Sequence, residues 1–137
     1  FDQIKIDSEL SIVGRTENVN SNNKKVSFVG PVYYSAALIK IYDNHNIFIL
    51  PSFTEAHPKV IDESLARVRP VIIFDEINHI IQNRKGIFVS KRNAKSLLET
   101  INFIMKNYHN IQESMLENKL PTKQEFISKM SNILQSN

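Results

Sequence analysis

Short runs of β-branched and aromatic residues alternate along this chain with stretches whose apolar residues recur at helical spacing. The runs are Leu10-Ser11-Ile12-Val13, Val26-Ser27-Phe28-Val29, Ile47-Phe48-Ile49-Leu50, Val71-Ile72-Ile73-Phe74 and Ile87-Phe88-Val89. Each is too short for a stable helix and, apart from Ser11 and Ser27, apolar at successive positions, as in a strand covered on both faces; Gly14, Gly30 and Pro51 follow three of them. Between the runs, Tyr34, Ala37, Leu38, Ile41 and Tyr42 mark one helix face, and Val60, Ile61, Ser64, Leu65 and Val68 another. A third face runs from Ala94 through Leu97, Leu98, Ile101 and Met105 to Tyr108. Strand and helix in alternation predict an α/β fold, a parallel sheet with helices on both faces. A C-terminal helical extension over 109–137 adds no strand. In it Thr122 and Glu125 form a capping box ahead of Phe126, Ile127, Met130, Ile133 and Leu134 on one face.

Length narrows this further. The chain has 137 residues, enough for one core but short for two, so 1–137 reads as a single domain. The polar stretch Glu17–Lys25, with Asn18, Asn20, Asn22 and Asn23, reads as a surface loop. The net charge of +3 is a small excess of Lys and Arg, which argues against a nucleic-acid partner and leaves open a weak attraction to anionic lipid. The absence of cysteine excludes disulfides, thiol catalysis and Cys-ligated zinc. No apolar run approaches the roughly 20 residues that span a bilayer, and no signal peptide is visible, so the expected location is cytoplasmic. The chain opens on Phe1 without an initiator Met, as a piece of a longer protein would.

In parallel sheets of this kind ligands bind outside the carboxyl ends of the strands, which directs attention to the loop after Leu50. Pro58 suits the first turn of a helix, because the amide hydrogen it lacks has no helical acceptor there. Amides around Ala56, His57, Lys59 and Val60 would then form an anion site at a helix N-terminus. Glu55 precedes that helix, and Glu63 lies a turn and a half inside it, about 60° off the edge of the apolar stripe at 100° per residue. Two carboxylates flanking free amides suit a diphosphate with hydroxyl-bearing sugars at both ends. A helix-capping Glu55 and a solvated Glu63 fit the same spacing.

The surrounding residues decide between them. Pro51-Ser52, Glu55, Pro58, Val60, Glu63, Ala66 and then Pro70-Val71-Ile72 form a pattern that resembles the retaining glycosyltransferases of family 4, which have the GT-B fold. Their hallmark is two Glu separated by seven residues, as Glu55 and Glu63 are. Leu10–Gly14, Val26–Gly30 and Lys85–Val89 are similar to further strands of that domain, and the likeness covers roughly residues 9 to 108. It implies a Rossmann-like, nucleotide-sugar-binding C-terminal half of a two-domain enzyme. In that family the second Glu, here Glu63, binds the ribose, and the first, here Glu55, lies near the donor sugar and the reacting carbon. The intervening loop, Ala56 to Val60 with Ser52 ahead of it, meets the sugar and diphosphate, and Gly30, Pro31 and Val32 lie by the base. The implied reaction is hexosyl transfer from a UDP- or GDP-sugar to a glycan or lipid-linked acceptor with retention of configuration, without a metal or other cofactor. It takes place in the cleft with an N-terminal half, at the inner face of the cell membrane in envelope polysaccharide or lipopolysaccharide synthesis.

Departures from the pattern set further expectations. The family commonly has Gly where this chain has Ala56 and Val68. A Gly two residues before the Pro-Val-Ile strand closes the preceding helix in a left-handed turn that Val resists, so the helix is expected to end differently. The opening strand, its Gly-rich turn and the Arg and Lys that clamp the diphosphate are not recognisable here, so the domain is expected to be N-terminally incomplete and the isolated chain inactive. Ser52 reads as a turn hydroxyl beside the donor, His57 as a packing residue in the donor loop, and His45, His79 and His109 as surface residues. Arg84-Lys85, Lys91-Arg92 and Asp75-Glu76 flank strand ends, where charge either lines the cleft or keeps a loop wet. A GT-B-like nucleotide-sugar epimerase and a degenerate, non-catalytic nucleotide-binding domain are the alternative functions.

Overall fold

A computed structural model describes residues 7–17, 19–33 and 35–135. Among the described residues five strands, each in a parallel ladder, are followed from β2 onward by helical segments: β1 (Leu10–Val13), β2 (Val26–Gly30), α1 (Ser35–Asp43), β3 (Phe48–Ile49), α2 (Lys59–Ala66), β4 (Val71–Phe74), a 3₁₀ segment (Asp75–Ile80), β5 (Ile87–Ser90), α3 (Ala94–Lys106), α4 (Tyr108–Met115) and α5 (Lys123–Gln135). The predicted α/β class is the observed one. The sheet, however, is divided. β1 pairs with β2, and β4 pairs with β3 on one edge and β5 on the other, every ladder parallel. His45, between α1 and β3, ties β1 to α1, its Nε2 lying 2.8 Å from Ser11 Oγ and its Nδ1 2.6 Å from Ile41 O. It is half-buried, and the expectation of a purely surface histidine is corrected.

β4 is the centre of the molecule: all four of its residues are buried, and Val71, Ile72 and Ile73 are fully so. Ile61 and Leu65 of α2 cover it together with Ile77 and Ile80 of the 3₁₀ segment, Ile101 and Ile104 of α3, and Ile111 and Met115 of α4. Each such side chain contributes roughly 1.5–3 kcal/mol by leaving water. α4 is therefore part of the core. The helix predicted to run from Ala94 to Tyr108 stops at Lys106 instead: Asn107 leaves helical geometry at φ −110°, ψ 17°, its side-chain amide donates to Phe103 O at 2.8 Å, and its carbonyl accepts from Ile111 N in the first turn of α4. The predicted capping box is present at α5, where Glu125 N donates to Thr122 Oγ1 at 3.2 Å and Thr122 N to Glu125 Oε2 at 2.9 Å.

The end of α2 departs from the sequence expectation in an instructive way. Val68 adopts φ 54°, in the left-handed region, despite its branched side chain. Val68 N donates to Leu65 O at 2.9 Å and Arg69 N to Ser64 O at 3.0 Å, the paired bonds of a Schellman turn. The turn that glycine usually supplies is thus kept, at a cost of about 1–2 kcal/mol. Neighbours hold it: Ser64 Oγ donates to Arg69 O at 3.1 Å, Gln112 Nε2 donates to Val68 O at 3.0 Å, and the Val68 side chain packs on the core.

Gly86, ahead of β5, carries φ +89°, and a Cβ there would lie 2.5 Å from Met115 Cγ and Sδ. Asn118 straps the same turn, accepting from Lys85 N and donating to Lys85 O at 2.8 Å each. Gly86→Ala combines backbone strain with overpacking and is expected to cost at least about 2 kcal/mol, read as a lower urea midpoint with an unchanged m-value.

Candidate functional site

The strands β3, β4 and β5 run parallel, so the segments after Leu50, Phe74 and Ser90 emerge at one edge of the sheet. The loop after Leu50 descends to α2. Pro58 occupies the N-cap with φ −74°, ψ 111°, one residue before the helix begins, and no side chain caps the first turn. Proline lacks the side-chain oxygen that would cap it, so the first-turn amides depend on other acceptors. Asp62, within that turn, is committed elsewhere. Its carboxylate receives His57 Nε2 at 3.1 Å and Arg84 NH1 at 2.6 Å. His57 is exposed and paired with Asp62, which corrects the expectation that it packs.

Within the loop, Ser52 Oγ donates to Glu55 Oε1 at 2.7 Å, and Glu55 is half-buried. The Glu55 carbonyl lies 3.0 Å from His79 Nε2, so His79 helps seat the loop. Ala56 and Lys59 are exposed, Pro58 is buried and Val60 half-buried. Ala56 has no positive φ, so the backbone there accepts a Cβ without strain.

Glu63 belongs to a different feature. A groove of about 410 Å³ runs between α1 and α2, lined by Val32, Tyr33, Leu38, Ile39, Tyr42, Glu63, Ala66 and Arg67. Tyr42, 7 % exposed, stands edge-on to Phe48 and directs its hydroxyl to Glu63 Oε2 and to Val60 O, each at 3.3 Å. Burial, then the Glu63 charge, push the Tyr42 phenol well above its ordinary range, so it is a neutral donor to the carboxylate. At the end of the groove Arg67 grips Asp43 with two bonds, of 2.8 and 2.7 Å, and holds its carboxyl below the usual range.

Over residues 1–107 the sequence matches the family of glycosyl transferases group 1, most of the chain. The chain belongs to that family. A relative is the N,N'-diacetylbacillosaminyl-diphospho-undecaprenol alpha-1,3-N-acetylgalactosaminyltransferase of Campylobacter jejuni, 27% identical over 100 residues. That stretch is 69% of this chain and 27% of the relative, so the chain spans just over a quarter of the relative's length.

Of the residues that the resemblance marks in this chain, Val32 and Glu63 line one groove, while Ser52 and Glu55 share a hydrogen bond in the loop. Gly30 and Pro31 lead into Val32 and do not line the groove. Sequence reasoning missed the roles of Tyr42 and Arg92. Tyr42 had a usable signal, since a Tyr in an apolar stripe needs a partner for its hydroxyl. Arg92 stood out only as a charge at a strand end; its bonds to Pro51 and Ser52, across forty residues of chain, left no local signal.

A raised Tyr42 pKa fixes the sign of a pH effect. The unfolded chain loses this proton first, so the contribution is complete below the ordinary value of 10.0 and falls as pH rises beyond it. Urea unfolding between pH 9 and pH 11, about one unit either side of that value, should show a steeper alkaline loss of stability in the native chain than in Tyr42→Phe.

Proposed function

We propose that this chain is the donor-binding part of a retaining glycosyltransferase of family 4, taking its sugar from a UDP- or GDP-sugar. The observation that carries this reading is the groove between α1 and α2, with apolar walls and the Glu63 carboxylate held at its side by Tyr42. A nucleoside has the matching chemistry: a flat base for Val32, Tyr33 and Leu38, and a ribose whose vicinal hydroxyls donate to a carboxylate. The diphosphate extends toward the uncapped start of α2, where the amides of Lys59 and Val60 favour negative charge. The sugar then reaches the loop of Ser52 and Glu55. Because Ser52 engages only Oε1, the other Glu55 oxygen is available to the sugar as positive charge develops at the reacting carbon. Transfer proceeds without a metal in this reading.

The acceptor is a lipid-diphosphate-linked glycan, a class supported by the activity for which the Campylobacter relative is named. Such an acceptor puts the reaction at the cytoplasmic face of a membrane by peripheral association. Among the described residues no helix is long and apolar enough to cross a bilayer. The divided sheet supports an incomplete domain. Ladders β2-β1 and β3-β4-β5 would match the two sides of the doubly wound order 3-2-1-4-5-6 with a further strand between them. Further chain supplies that strand, the cations for the diphosphate and the second half of the cleft, and this chain alone transfers no sugar.

Calorimetric titration with uridine and guanosine diphosphates tests the reading. One of them is expected to bind the native chain, and Glu63→Ala to weaken it by roughly 10- to 100-fold, the size of a lost hydrogen bond to a charged group. Binding that ignores the Glu63 change, or none by the native chain, refutes the groove as a ribose site.

A further inference from the structure

Arg92 follows β5 and is drawn into contacts with the ends of all three central strands. Its Nε donates to Glu76 Oε1 at 3.0 Å and its NH2 to Glu76 Oε2 at 3.3 Å, next to the end of β4. NH1 donates to Pro51 O at 3.1 Å and NH2 to Ser52 O at 3.0 Å, just after β3. The guanidinium also packs on two aromatic rings, its central carbon 3.9 Å from the Phe53 centroid and 4.3 Å from that of Phe74. Phe53 is 68 % exposed, so stacking on Arg92 is a main restraint on a large apolar side chain that otherwise faces water.

We propose that Arg92 is a positioning residue for the donor sugar: it fixes Ser52 and Phe53, and through the Ser52 hydroxyl it aims the Glu55 carboxylate. This rests on the donor-binding reading above. Arg92 holds the Ser52 carbonyl, and the hydroxyl of the same residue donates to Glu55 Oε1 at 2.7 Å, so the guanidinium and the carboxylate are joined by one short residue. His79 holds the Glu55 carbonyl, while the bond to the carboxylate comes from Ser52. Glu76 completes the arrangement by setting the plane of the guanidinium, and Arg92 in return holds the Glu76 carboxyl below its usual range. Lysine cannot replace this group, since its compact ammonium lacks both the planar fork and the two stacking faces. Arg92 does not line the groove that holds Glu63, so nucleoside binding and sugar orientation are separable.

The chain has no Trp, so Phe53→Trp introduces a single reporter on this contact. In that background Arg92→Ala is expected to raise the acrylamide quenching constant about twofold or more, and Arg92→Lys to leave most of that increase, because the stacking face is lost in both. In the Phe53 chain, calorimetry with uridine or guanosine diphosphate, whichever the native chain binds, and with the hexose and N-acetylhexosamine conjugates of that diphosphate separates the parts of the ligand. Arg92→Ala is expected to keep diphosphate affinity within about twofold while removing at least about fivefold from the extra affinity that the sugar brings. Unchanged quenching overturns the proposal, as does a sugar increment that is absent in the native chain or unaffected by Arg92→Ala. An equal fall for both ligands also overturns it, since a merely structural role predicts that result. A native chain that binds either diphosphate in a Glu63-dependent way but fails these tests loses only this inference; one that binds neither loses the donor-binding reading as well.

Discussion

The burial of β4 is the constraint on which the remainder depends. A strand whose four residues are all buried must be covered on both faces and paired on both edges, because unpaired backbone groups in a dry interior are costly. α2 and the 3₁₀ segment, α3 and α4 provide the cover, and β3 and β5 provide the pairing. Parallel pairing then brings three strand ends to one edge of the sheet. The loop after Leu50, Glu76 and Arg92 come from separate stretches of chain and meet there as a result.

The same logic explains what could be read from residues alone. β4 and α2 were legible because their signals are local and dense: a continuous β-branched run, and a stripe that placed even Ser64 on the buried side. The Glu55–Glu63 pair was legible as a pattern, but the pattern did not reveal that the two carboxylates serve different features, one tied to Ser52 in a loop and the other to Tyr42 at a groove. That distinction arises from α1 packing against α2, a contact between residues about twenty positions apart.

Two further differences come from tertiary contacts overriding local preference. Val68 disfavours the left-handed turn it adopts, yet the Ser64 and Gln112 bonds around it hold that turn in place. The apolar stripe of α3 continues to Tyr108 in the sequence, but the chain turns at Asn107 so that Ile111 and Met115 can reach the core. A sequence pattern reports which residues prefer burial. It does not report where the helix must bend to bury them.

The β1–β2 ladder is a different environment from β4. Its burial is partial, and Phe28 and Val29 stand 39% and 45% exposed. Opening free energies across such a molecule are uneven, and the amides of β1 and β2 should exchange through local opening long before those of β4. The groove straddles these two tiers: Val32 and Tyr33 follow the less protected ladder, while Glu63 and Ala66 sit on a core helix. A ligand held there would couple the tiers, and its binding energy would appear chiefly as slower hydrogen exchange in the outer ladder, leaving the already protected core almost unchanged.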